Sequence, residues 1–394
     1  MFTNLSVAPA DPILSLAQLF ANDKSADKVD LGIGIYKDHT GKAPVLKAVK
    51  KAEQWLLETQ ATKAYISSAG NPDYNLVTRE LLFGANKDLL GRSLTVQTPG
   101  GTGALRIAAD YIRKLQGKTR IFIPDPTWTN HKAIFTVAGY ELVPYSYYDV
   151  ASGELTFDAM MTSLKGMKEG DVLLLHGCCH NPSGADPDLE QWQQIADLLV
   201  KTGALPLVDL AYLGFGNGLN EDAEGLRLLA SCVPEMVIAS SYSKNFALYR
   251  ERVGALTLVA RDTDNVTLAR AHMMPVARTN YSMPPDHGAA IVAKILGTPD
   301  LRREWEVELS TMRNRINTMR SRLVTLLAEH GSKRDYSYLE NQRGMFALLG
   351  ISPEAVEKLR SEHHVHIIGS GRVNIAGLTE DNILHVARAI AAIS

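Results

Sequence analysis

From about Leu94 onward, short β-rich runs alternate with helical patterns, and few architectures accommodate that order. Leu94–Thr98 leads through Gly100-Gly101-Thr102-Gly103 into Ala104–Leu115, where Leu105, Ala108, Ala109, Ile112 and Leu115 recur on one helical face. Arg120–Ile123 reads as the next strand, followed by Asp171–His176, Leu205–Val208, Met236–Ser241 and Val253–Val259. Between two of them, Leu189, Trp192, Ile195, Ala196 and Leu199 form a helical stripe, with Asp186-Pro187 as its start signal and Gly203 as its stop. The repeat predicts an α/β domain built on a largely parallel sheet. Pro206 fits only at the beginning of its strand, because proline has no N–H to give a ladder.

The last third differs. Leu301–Glu329 predicts a long helix, with Trp305, Leu309, Met312, Ile316, Met319 and Leu323 on one side. Shorter segments follow: Met345–Leu349, a helical Pro353–Glu362, Val365–Ile368, Arg372–Ile375 and a helix after Thr379. They predict a smaller α+β domain. At 394 residues and 45% hydrophobic, the chain can support two domains. A net charge of -2 gives no case for nucleic acid or an anionic membrane as partner. No run approaches the roughly 18–20 apolar residues of a membrane span. Met1–Pro12 lacks the basic start and apolar middle of a signal peptide, and three cysteines make no disulfide framework, so a cytoplasmic location is expected.

In open parallel sheets, ligands gather at the carboxyl ends of strands. Three predicted strands end near chemistry-bearing residues: Asn181 after Val172–His176, Asp209 and Tyr212 after Leu205–Val208, and Lys244 after Met236–Ser241. Arg252 opens the next strand. An anion, a phenol, an amide, a lysine and an arginine on one rim are what a pyridine-aldehyde cofactor requires. The Gly100–Gly103 turn sits between strand and helix, where free N–H groups favour an anion. It completes neither a Walker A loop nor a dinucleotide fingerprint, since Arg106 holds the last glycine position. His176-Gly177-Cys178-Cys179-His180 is packed too tightly for a metal site and reads as a strand end with buried thiols. No metal is expected.

Ser241-Tyr-Ser-Lys244-Asn-Phe, Glu251-Arg252-Val-Gly, Cys179-His-Asn181-Pro-Ser-Gly, Asp209-Leu-Ala-Tyr212 and Ser370-Gly-Arg372-Val-Asn together resemble class I pyridoxal-phosphate aminotransferases. Leu31-Gly-Ile-Gly34-Ile-Tyr-Lys-Asp and Tyr281-Ser-Met-Pro-Pro are similar to the aspartate/aromatic branch, and the resemblance spans essentially the whole chain. It implies a fold-type I enzyme: a large domain over 36–311 with a mainly parallel seven-stranded-type sheet flanked by helices. A smaller α+β domain over 312–394 is joined by part of an N-terminal arm, residues 1–35. It implies that Lys244 is the Schiff-base lysine, that Asp209 pairs with the pyridine nitrogen, and that Tyr212 and Asn181 hold the ring's phenolic oxygen. Ser241, Arg252, Gly101 and Thr102 would hold the phosphate. Trp128 would stack on the ring and His131 would support Asp209. Arg372 matches the arginine that grips the α-carboxylate, a planar fork meeting a planar acid. Gly34, Trp128 and Asn181 would border the substrate.

The resemblance further implies a homodimer with shared sites, in which Tyr65, Arg278 and Ser282 reach the neighbouring subunit. The substrates implied are L-amino acids (aspartate, or aromatic ones such as Phe, Tyr and Trp) and 2-oxoglutarate, by a ping-pong cycle. Ala43, Ala64, Met283 and Leu213 depart from the aspartate-selective pattern toward apolar residues, while Lys37 and Thr102 keep it, so both classes are expected, with an aromatic-selective enzyme as alternative. A lyase or decarboxylase using the same cofactor is disfavoured by two carboxylate-binding arginines. A non-catalytic regulator would need a DNA-binding module for which this length leaves no room.

Overall fold

The computed structural model describes residues 12–394. Seven strands form the central sheet: β1 (Ser93–Pro99), β2 (Arg120–Asp125), β3 (Glu141–Ser146), β4 (Val172–His176), β5 (Leu205–Leu210), β6 (Met236–Ser241) and β7 (Val253–Val259). Their order is β1-β7-β6-β5-β4-β2-β3. All run one way except β7, which is antiparallel to both β1 and β6. The expected largely parallel sheet is present, with one reversed strand inside it.

Alternation along the strands divides the core. Leu173, Leu175, Val208 and Ile238 join one apolar cluster, while Val172, Leu174, Leu207 and Val237 join another across the sheet. Burial on both faces explains why these strands read as continuous apolar runs. Strand β3 escaped the sequence reading because it is the sheet's edge: only Tyr145 is buried, and Pro144 interrupts it. Pro206 is the second residue of β5. Leu205 N–H donates to Asp171 on the β4 side, so Pro206 faces β6, whose ladder begins only at Leu207.

The helix between β4 and β5 runs Leu189–Thr202. Asp188, not Asp186, caps it, in a reciprocal box with Gln191, and left-handed Gly203 ends it. The long helix spans Pro299–Glu329, and its expected stripe is buried. The glycine segment is no free loop, because Gly100 already begins the helix Gly100–Gln116. At the C-terminal end, Phe346–Leu348 pairs antiparallel with Arg372–Asn374. Val29–Asp30 pairs parallel with Val365–His366, so the N-terminal segment packs with the C-terminal third. Of the arm expected over 1–35, the first eleven residues lie outside the described residues.

Candidate active site

A cavity of about 260 Å³ opens where β1, β5 and β6 end. Its walls are Gly34, Gly101, Thr102, Leu105, Trp128, His176, Asn181, Asp209, Ala211, Tyr212, Ser241, Ser243, Lys244, Arg252, Phe346 and Arg372. Topology does the gathering, since parallel strands discharge their following loops on one rim.

Lys244 follows the end of β6 and is walled in except where its amine faces the cavity. Its Nζ lies 5.2 Å from the centre of the Tyr212 ring. Burial lowers the amine to about 8, against the pull of Asp209 and with help from Arg252 and Arg372. An amine so poised is a usable nucleophile and proton carrier near neutral pH.

Asp209, at the β5 end, is 8% exposed. Burial works to raise its carboxyl, but the hydrogen bond from His131, with His176 and the Lys244 amine nearby, outweighs it and holds the acid below its ordinary range. His131 Nε2 lies 2.9 Å from Asp209 Oδ2, and His131 Nδ1 lies 2.8 Å from Thr127 Oγ1. Thr127 also sits 3.2 Å from His176 Nε2, and burial drives His176 down to about 3. A consistent assignment follows. Asp209 accepts a hydrogen bond from the Nε2–H of His131, Thr127 donates its only proton to His131 Nδ1, and neutral His176 donates to Thr127.

Asn181 joins two groups: its Nδ2 donates to Tyr212 Oη at 3.4 Å, and its Oδ1 accepts from Arg372 Nη1 at 3.2 Å. Arg372 also donates to Gly32 O at 2.8 Å, lies over the Phe346 ring at 4.2 Å, and leaves its buried Nε without a partner. Among the described residues no carboxylate pairs with this buried guanidinium, which suits it to an anionic ligand. Burial raises Tyr212 well above the ordinary phenol range, opposed by Arg372.

Opposite stands a cradle for a second anion. It consists of the first turn of the helix Gly100–Gln116, Ser241 and Ser243 with hydroxyls 3.2 Å apart, and Arg252. Side chains would close it. A Cβ on Gly100, at φ +74, would lie 2.3 Å from Arg252 Nη2, and one on Gly101 would lie 3.0 Å from Ser241 Cβ. Arg252 itself has φ +55 and donates to Tyr249 O. A phosphate cradle, a buried carboxylate held as its anion and a poised lysine fit pyridoxal phosphate in charge and donor set.

Gly34, Gly101, Thr102, Trp128, Asn181, Asp209, Tyr212, Ser241, Lys244, Arg252 and Arg372 therefore share one cavity. Tyr65, Arg278 and Ser282 do not. Tyr65 is 94% exposed, and the other two are exposed as well. Leu213, at 3% exposure, fills the core, and Ala43, Ala64 and Met283 do not line the cavity either. Thr127, His176, Ser243 and Phe346 were missed. Only Ser243, one residue before Lys244, carried a local signal. Cys178, Cys179 and Asp222 place ligand atoms within 4.8 Å of one another. Asp222 is occupied, since its carboxylate accepts N–H groups from Gly214, Gly216, Asn217 and Gly218.

Residues 26–390 match the family described as aminotransferase class I and II. The chain is 52% identical to an aspartate aminotransferase of Escherichia coli (strain K12) over 395 residues, the full length of both. It is 44% identical over 390 residues to an aromatic-amino-acid aminotransferase of Paracoccus denitrificans, covering 99% of each chain. The crystal structure of an aromatic-amino-acid aminotransferase from Burkholderia pseudomallei, covalently bound to pyridoxal phosphate, superposes with a TM-score of 0.97 at 41% identity, covering 100% of this chain and 99% of that one. The cavity fits the pyridoxal phosphate on which such enzymes depend, and the chain belongs to the class I and II aminotransferase family.

Proposed function

We propose that this enzyme exchanges the amino group of dicarboxylic and aromatic L-amino acids with 2-oxoglutarate, in two half-reactions at the cavity around Lys244. The observation that carries the reading is the convergence of Lys244, anionic Asp209 and two separate anion-binding arginines, Arg252 and Arg372, on one cavity. When bound, pyridoxal phosphate supplies an electron sink for the charge released as the Cα–H bond breaks.

Arg252, Ser241, Gly101 and Thr102 would hold the phosphate by charge-assisted and backbone hydrogen bonds. Asp209, kept anionic through His131, would pair with the pyridine nitrogen and keep its proton in place. Asn181 and Tyr212 would hold the phenolic oxygen, and Trp128 would stack on the ring. Arg372 receives the α-carboxylate beside Gly34 and Asn181, which fixes Cα near Lys244. Lys244 Nζ would carry the proton from Cα to the cofactor in the first half-reaction and in the opposite direction in the second. Its lowered pKa leaves a useful fraction of the amine unprotonated.

The exposure of Tyr65, Arg278 and Ser282, away from the cavity, supports a homodimer in which each chain completes its neighbour's site. Arg278 from the partner would then meet a side-chain carboxylate. The reading includes a large unit over 36–311 and a small one built from 1–35 and 312–394. The pairing of Val29–Asp30 with Val365–His366 supports that division. It also includes a cytoplasmic location: three free cysteines suit a reducing compartment, and no helix among the described residues is long and apolar enough to cross a membrane.

The test is a single half-reaction followed by the cofactor's absorbance, with aspartate, glutamate, phenylalanine and tyrosine added in turn. Conversion of the cofactor to its amine form, with release of the matching 2-oxo acid, is expected for members of both classes. Lys244→Ala should retain cofactor and lose turnover. Wild-type turnover in that variant refutes the assignment.

A further inference from the structure

Asp186 was expected to open a helix, and it does not. Its carboxylate instead turns back onto the segment before Asn181. Oδ2 accepts the Cys179 N–H at 2.6 Å, and Oδ1 accepts the His180 N–H at 2.9 Å. Cys179 stands at φ +52, a left-handed conformation that is costly for a residue with a Cβ. Two charge-assisted hydrogen bonds on consecutive peptide groups hold it there. The chain then closes on itself, with Gly184 N–H donating to His180 O at 2.7 Å and Arg343 N–H donating to Gly184 O at 2.8 Å. The next residue after this clamp is Asn181, whose amide spans Tyr212 and Arg372.

We propose that Asp186 is a positioning residue for the reaction, fixing the left-handed turn at Cys179 so that the Asn181 amide holds Arg372 ready for the substrate carboxylate. Asp186 has no salt-bridge partner among the described residues, so both oxygens remain committed to the two peptide groups. Burial pushes its acid up to about 6, with Asp222 adding to the rise, while the two N–H groups and Arg343 oppose it. The carboxylate is therefore anionic at neutral pH and acts there as a double acceptor. Asp186→Asn keeps one acceptor and turns an NH₂ donor against the other peptide N–H.

The inference rests on Arg372 as the carboxylate grip, and the experiment separates the two. Binding of succinate, a dicarboxylate with no amino group to transfer, is measured by calorimetry on holoenzyme. The proteins are wild type, Asp186→Asn, Asn181→Ala, the double variant and Arg372→Lys, with kcat and KM for aspartate in parallel. Asp186→Asn should weaken succinate and raise KM about tenfold, a loss of about 1.4 kcal/mol, with a smaller change in kcat and with cofactor content retained. In the Asn181→Ala background the same change should cost under about twofold, because the route through Asn181 is already cut. Equal losses in both backgrounds, or no loss in either, overturn the positioning role. Succinate binding unaffected by Arg372→Lys overturns the carboxylate reading and this inference with it. Should Asp186→Asn fail to fold, hydrogen exchange on the wild type decides. Cys179 and His180 amides protected like those of β4 support the clamp, and exchange at open-loop rates overturns it.

Discussion

Replacing His131 by Phe removes both ring nitrogens while keeping a flat ring between Trp128 and His176, each now at 5.2 Å between centroids. Asp209 Oδ2 then loses the donor 2.9 Å away, and Thr127 loses its acceptor. Burial, which already pushes Asp209 upward, is then opposed mainly by Lys244. A hydrogen bond to a charged group contributes about 1.5–3 kcal/mol, and its loss moves the acid upward. If the whole amount is expressed where charge develops on the cofactor, kcat/KM falls about ten- to a hundredfold. The sign is fixed. A depressed carboxyl contributes stability present above its unfolded value and lost as pH falls through its folded value. His131→Phe should therefore also shift the onset of acid unfolding to higher pH. The assay is stopped-flow absorbance of the half-reaction with aspartate, with cofactor content checked first. A kcat/KM within about twofold of wild type, at full occupancy, would show that Asp209 needs no support from His131 and would refute the relay.

Lys244→Met should abolish turnover yet stabilise the cofactor-free protein at pH 7. The amine falls from near 10.5 to about 8 on folding, a cost of about 3 kcal/mol to stability at pH below both values. The unfolded chain binds more protons between pH 8 and 10.5, so wild-type stability rises across that window and the gap narrows. Calorimetry of both apoproteins checks it, and a gap independent of pH fails it. Gly254→Ala places a Cβ 2.3 Å from the Gly100 carbonyl carbon, where no rotamer relieves the clash. A loss of about 1–3 kcal/mol in stability and a weaker hold on pyridoxal phosphate are expected by thermal melt and cofactor titration. Mixing inactive Lys244→Ala with Arg278→Ala chains should regenerate turnover of aspartate, because a hybrid dimer keeps one intact site. Silence after proven subunit exchange excludes the shared site.

Much of this enzyme is local enough to read from the chain. Strand β4 is four apolar residues and a buried histidine because both its faces are buried, and the long helix announces itself through Trp305, Leu309, Met312 and Ile316 because one face meets the core. Lys244, Asp209 and Asn181 are legible as a site because each lies at or just beyond a strand end, and parallel strands send their ends to one rim. Other features exist only in three dimensions. The reversal of β7 is invisible, since a strand buried on both faces carries no mark of direction. The edge strand Glu141–Ser146 lacks an apolar pattern because one neighbour is missing. The Thr127–His131–His176 relay joins residues 49 positions apart through a single hydroxyl. Asp186 looks like a helix cap until the fold shows that Asp188 fills that role and that Cys179 and His180 need its oxygens. Periodic burial is written into neighbouring residues and survives in the sequence. Which donor meets which acceptor depends on how distant segments pack, and only the tertiary structure decides it.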